Sequence, residues 1–98
     1  MKKREIQMLR ETAARYIWWE PPAQALKRPL RVLAQVMNIG DFEEVRSLLD
    51  GMGKESFKEA IAKAEPGWFS PRAWHYWHYR LGLAPAGGRV PRLPTRSF

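Results

Sequence analysis

The 98-residue chain contains no cysteine. That excludes a disulfide framework and any thiolate metal site. Histidine is scarce as well: His75 and His78 are the only two. Three residues apart on a helix, they diverge by about 60° and have no acid beside them. A zinc site takes three or four ligands, so this pair supplies two at best, and no metal or other cofactor is expected. No apolar run approaches the ~20 residues that cross a bilayer. Met1-Lys2-Lys3-Arg4 looks like the basic start of a signal peptide, but Glu5, Gln7, Arg10 and Glu11 interrupt the stretch that would form its apolar core. A cytoplasmic location is therefore expected rather than secretion.

The motifs of common enzymes are missing too. Ser47, Ser56, Ser70 and Ser97 fall in a helix, a helix, a cap and the C-terminal segment, none within a Gly-x-Ser-x-Gly elbow. There is no Gly-x-x-x-x-Gly-Lys-Ser/Thr loop, and Glu43-Glu44 is explained by charge at a helix start. No intrinsic enzymatic activity is expected.

What the chain does have is positive charge, +7 overall, unevenly spread. From Asp41 to Glu65 the net charge is −3, and the remainder carries +10. Such a distribution suits nucleic acid or an acidic protein surface. Arginine outnumbers lysine eleven to six, and arginine is the residue that forks onto carboxylates and phosphates and stacks on rings. The length is that of one domain. Residues 1–83 read as a helical body, and 84–98, rich in proline, glycine and arginine, as an extended basic tail.

Helical spacing organises the body. Ile6, Leu9, Ala13, Tyr16 and Ile17 predict a first helix from about Lys3 to Trp18, with Glu11 and Arg15 paired on its outer side. Pro21-Pro22 ends it, and Ala23 to Lys27 can form a single turn. Pro29 opens a helix striped by Leu30, Leu33, Ala34 and Met37, closed at Asn38-Ile39-Gly40. Asp41 and Glu44 read as a capping box for the next helix, whose buried side is Phe42, Val45, Leu48 and Leu49, with Gly51 as its stop. Phe57, Ala60, Ile61 and Ala64 face inward from a fourth helix carrying a Glu59–Lys63 pair. No run of alternating β-branched residues occurs. The fold class is all-α, a compact bundle of about five short helices.

The fifth helix is the most distinctive. Trp68, Phe69, Trp74, Tyr76, Trp77 and Tyr79 lie within fifteen residues of both histidines and two arginines. Ser70 suits the N-cap, Pro71 the first turn and Gly82 the left-handed position after the last. Trp74, Trp77 and Leu81 share one face, with His78 at its edge; Arg72, His75, Tyr76 and Tyr79 share the opposite face. The first face is read as core. The second is read as a binding surface for a protein partner, extended by Arg89, Arg92, Arg96 and Phe98 of the tail. Val90, Leu93 and Phe98 make that tail too apolar to be purely solvated, so it is expected to dock.

An alternative reading has nucleic acid as the partner, single-stranded or structured. Lys2, Lys3, Arg4, Arg28, Arg31 and Arg72 would meet phosphates while Tyr76 and Tyr79 stack on unpaired bases. The helices around Asp50-Gly51-Met52-Gly53 resemble a helix-turn-helix in outline. The would-be recognition helix Lys54-Glu55-Ser56-Phe57-Lys58-Glu59-Ala60 has no arginine, asparagine or glutamine to read base edges, so a plain helical hairpin is the better reading. A second copy of this chain is a further possible occupant of the aromatic face.

Several short motifs together resemble a known group. Trp18-Trp19 before Pro21, Gln35-Val36-Met37-Asn38-x-Gly40, Leu48-Leu49 with Gly53 and Phe57-Lys58, Gly67-Trp68-Phe69-Ser70-Pro71, Trp77 with Leu81-Gly82, and Pro94-x-Arg96-x-Phe98 are similar to those of small helical proteins encoded in bacteria and archaea just ahead of Abi-type nucleotidyltransferase toxins. The similarity covers about Trp18 to Phe98. It implies an antitoxin or regulatory partner subunit and carries over no catalytic residue.

Overall fold

Helix α3 (Pro29–Ile39) lies at the centre of the molecule. Its sequence interrupts a run of aliphatic residues only with Arg31, Gln35 and Asn38, and a helix apolar around most of its girth is a buried one. Val32, Leu33, Ala34, Val36 and Met37 are all buried, whereas Leu30, placed in the expected stripe, is only partly covered. The stripe is wider than expected because three helices pack on it: α1 (Lys3–Tyr16), α5 (Lys54–Ala62) and α6 (Pro71–Arg80). The one-turn α2 (Pro22–Ala25) packs on α1, and α4 (Phe42–Met52) joins α1 to α5. The structure, a computed structural model, describes residues 2–84 and 89–94. Among them there is no strand, and the fold is all-α. No described helix is long and apolar enough to cross a membrane.

Helix α1 ends two residues earlier than expected. Ile17 leaves the helical region at φ −126°, ψ 67°, although its N–H still reaches the Ala13 carbonyl at 2.8 Å. Two prolines downstream push the preceding backbone toward extended conformations. Trp18 and Trp19 therefore sit in a turn, 79% and 51% exposed, rather than on a helix face.

The end of α1 is tied to the start of α4 by a network that replaces two expected local pairs. Arg15 bonds Glu44 rather than Glu11. The Tyr16 hydroxyl donates to Glu44 Oε2 at 2.6 Å and accepts the Asp41 N–H at 3.4 Å. Only half of the capping box forms: Asp41 Oδ1 accepts the Glu44 N–H at 2.9 Å, while the Glu44 carboxylate turns to α1. A carboxylate gains more from a guanidinium and a phenol than from one neutral amide. The bond to Glu44, and then burial, raise the Tyr16 phenol above its ordinary value. A raised pKa means that this contribution is complete below pH ~10 and fades as pH climbs through the folded-state value. Tyr16→Phe should cost about 1–2 kcal/mol at neutral pH. It should also flatten the alkaline limb of a plot of stability against pH, and urea titrations across that range check both effects.

Two expectations about α4 need correction. Phe42 is 64% exposed, not buried. Val45, Leu48 and Met52 define the inward stripe, and Phe42 lies roughly 90° from its centre, in the first turn where little overhangs it. Gly51 does not stop the helix. It lies inside α4, where a Cβ would come within 2.2 Å of Met8 Cε from α1. Gly53, at φ 85°, makes the turn instead. The Glu59–Lys63 pair forms as expected, at 3.1 Å.

The tryptophan helix has the predicted phase and ends. Ser70 Oγ accepts the Ala73 N–H at 3.2 Å, Pro71 occupies the first turn, and Gly82 adopts φ 71°. Ser70 also donates its N–H to Asn38 Oδ1 at 2.8 Å, anchoring the start of α6 to the end of α3. Trp74, Trp77, His78 and Leu81 are buried.

Candidate interaction site

The site is built on α6 because its inward side chains are fixed twice over. Trp77 meets Phe57 with ring centroids 5.3 Å apart, and its indole N–H donates to the Met37 carbonyl at 2.8 Å. Trp74 packs on Phe69 at 5.7 Å and on His78 at 4.4 Å, and donates to the Pro91 carbonyl at 2.7 Å. The last bond holds the tail against the body, where Val90 and Leu93 are partly buried on the core. The docking expected of these two is thus observed. Arg96 and Phe98 of the expected surface lie outside the described residues.

On the opposite side, Arg72, His75, Tyr76 and Tyr79 are all exposed, as expected, and the described tail arginines Arg89 and Arg92 are exposed too. Arg72 and Tyr76 border an open depression of about 350 Å³, completed by Met37, Asn38, Ser70 and Ala73. His75 Nδ1 lies 2.8 Å from the Pro71 carbonyl. A carbonyl only accepts, so Nδ1 carries a proton and donates to it. His78 uses Nδ1 in the same way toward Trp74, at 2.7 Å, but inside the core. One histidine belongs to the surface and the other to the packing.

Sequence reasoning passed over Arg80. Its guanidinium bonds the Tyr76 hydroxyl and stands 5.8 Å from the Tyr76 ring and 5.4 Å from the Trp77 ring. The i,i+4 spacing from Tyr76 was the available signal. Arg80 holds Tyr76 in place, so the exposed ring is preorganised, which lowers the entropy lost on binding. Also unforeseen were the exposed apolar side chains Ile39, which follows Asn38 of the depression, and Leu83.

The cations proposed for nucleic acid are dispersed. Lys2, Lys3 and Arg4 are exposed at the start of α1, and Arg72 stands on α6. Arg28 is paired with Glu65, and Arg31 with Glu20 at 3.4 Å. Two of the six are thus locally compensated. Comparison with protein-family models, with curated proteins and with solved structures returns no match.

Proposed function

We propose that this chain is a non-enzymatic interaction module, an antitoxin-like or regulatory partner of a nucleotidyltransferase, which it binds through the outer face of α6 and the tail. The resemblance described above suggests the class of partner. The observation that carries the reading is the division of α6: Trp74 and Trp77 are locked into the core while Tyr76, 48% exposed, is held outward by Arg80. A rigid tyrosine flanked by arginines gives large contact area at low entropic cost, the pattern that dominates binding energy at interfaces. The competing reading, in which Tyr76 and Tyr79 stack on unpaired bases, draws less support, since one face of Tyr76 carries Arg80.

The test is co-expression with whichever enzyme is encoded beside the gene, followed by size-exclusion chromatography. The two proteins should elute together. Separate elution at micromolar concentration and low ionic strength would end the proposal.

A further inference from the structure

Helix packing brings together a second group of side chains, far apart in sequence and separate from the α6 surface. Trp19 from the turn after α1, Arg31 and Gln35 from α3, and Trp68 from the turn before α6 line one cleft of about 260 Å³, with Ile17 and Gly67 completing its wall. It shares no residue with the depression at Tyr76. The volume falls just under the ~300–1,000 Å³ of pockets for drug-sized ligands, so it suits one small planar group. The two indoles have separate partners outside the cleft: Trp19 meets the edge of Trp18 at 5.9 Å and 85°, and Trp68 carries Arg28 at 5.9 Å from its ring. Each indole also lines the cleft. A flat ring entering it would meet aromatic side chains from two separate segments.

The polar groups define the rest of the ligand. The Gln35 amide offers both a donor and an acceptor, as the hydrogen-bonding edge of a base requires. Arg31 and, in an adjoining groove that shares Arg31, Gly67 and Trp68, Arg28 offer guanidinium forks to an anion. Each has five N–H donors, and the contacts to Glu20 and Glu65 involve one nitrogen apiece. Because these carboxylates cancel much of the long-range field, recognition here depends on stacking and short-range fit rather than on bulk charge.

We propose that this cleft binds a nucleoside phosphate, with the base between Trp19 and Trp68, its edge on Gln35 and its phosphate on Arg31 and Arg28. The same chemistry is offered by a free nucleotide and by one unpaired nucleotide of a single strand. Titrating the full chain with adenosine monophosphate and with a short oligoadenylate, followed by tryptophan fluorescence at low ionic strength, tests the assignment and separates the sources. Saturable quenching by the mononucleotide alone identifies a free-nucleotide site. Tighter binding of the oligomer, falling with added salt, identifies an unpaired nucleotide in a strand. In either case Trp19→Ala should weaken binding ~10-fold or more, as loss of a stacking platform does. Trp19→Phe should restore most of it, and Trp18→Ala should leave it unchanged. Trp19 is half exposed, so these variants fold. Three results would overturn the proposal: no quenching by either ligand up to millimolar concentration, Trp19→Ala binding as the parent does, or displacement by inorganic phosphate but not by adenosine.

Discussion

Trp77→Ala is expected to remove a large share of the chain's stability. The side chain is 1% exposed, packs on Phe57 and caps the Met37 carbonyl. That carbonyl is among the last four of α3, which have no partner within their own helix. Truncation removes the ring, leaves a cavity between α3, α5 and α6, and orphans the carbonyl. Large-to-alanine changes at such sites cost ~3–5 kcal/mol, against a total stability of ~5–15 kcal/mol for a domain of this length. Trp77→Phe keeps most of the burial but loses the indole N–H, and should fall between the parent and alanine. Tyr76→Ala, one residue away, should change stability by no more than about 1 kcal/mol, because the residue faces solvent. Urea denaturation followed by circular dichroism orders the three.

Gly40→Ala is expected to cost ~2–3 kcal/mol, the upper part of the range for overpacking a close-fitted site. The backbone there, φ −69° and ψ 154°, is open to any residue, so the obstacle is space rather than conformation. A Cβ would lie 2.4 Å from the Val36 carbonyl oxygen, 2.9 Å from Val36 Cγ1 and 3.1 Å from Val45 Cγ2. The first of these is the backbone of the central helix, and both valines are buried, so nothing nearby can yield cheaply. Gly51→Ala makes the useful contrast. Its Cβ would meet only Met8, at Cε and Sδ, and the end of a methionine can swing aside. Replacing a glycine in the last turn of a helix recovers part of the ~1 kcal/mol that glycine costs in a helix interior, so the net change should be small. Denaturation midpoints for the two variants check the ranking, and a larger loss at Gly51 would show that the α1–α4 contact is the tighter one.

These contrasts also show which features were legible in the sequence. Helix α6 was legible in full because three independent signals agree: Ser70-Pro71 at its start, Gly82 at its end, and the spacing of Trp74, Trp77 and Leu81 between them. The turns around α4 were less so. Both Gly51 and Gly53 can end a helix; Gly51 lies against Met8 of another helix, while Gly53 takes the positive φ. Glu44 had an adequate local partner in the Asp41 amide but found better ones on α1. Hydrophobicity alone placed Phe42 inside, although its position in the first turn leaves it uncovered. The outer face of α6 followed from the core face by periodicity, whereas Arg80 was missed because its role depends on how its side chain folds back over Tyr76. The cleft between Trp19 and Trp68 had no sequence signature, since it exists only where segments about fifty residues apart come together.

The claim at the centre of this account is that α6 divides its labour, with tryptophans building the core and tyrosines meeting a partner. The most direct measurement is the affinity of the Tyr76→Ala, Tyr79→Ala double variant for whichever enzyme is encoded beside the gene, taken together with its melting midpoint. Two interface aromatics at ~2 kcal/mol each predict binding weaker by about a thousandfold, in a protein that melts within a few degrees of the parent. Undiminished binding, or a melting midpoint that collapses as that of Trp77→Ala should, would contradict it.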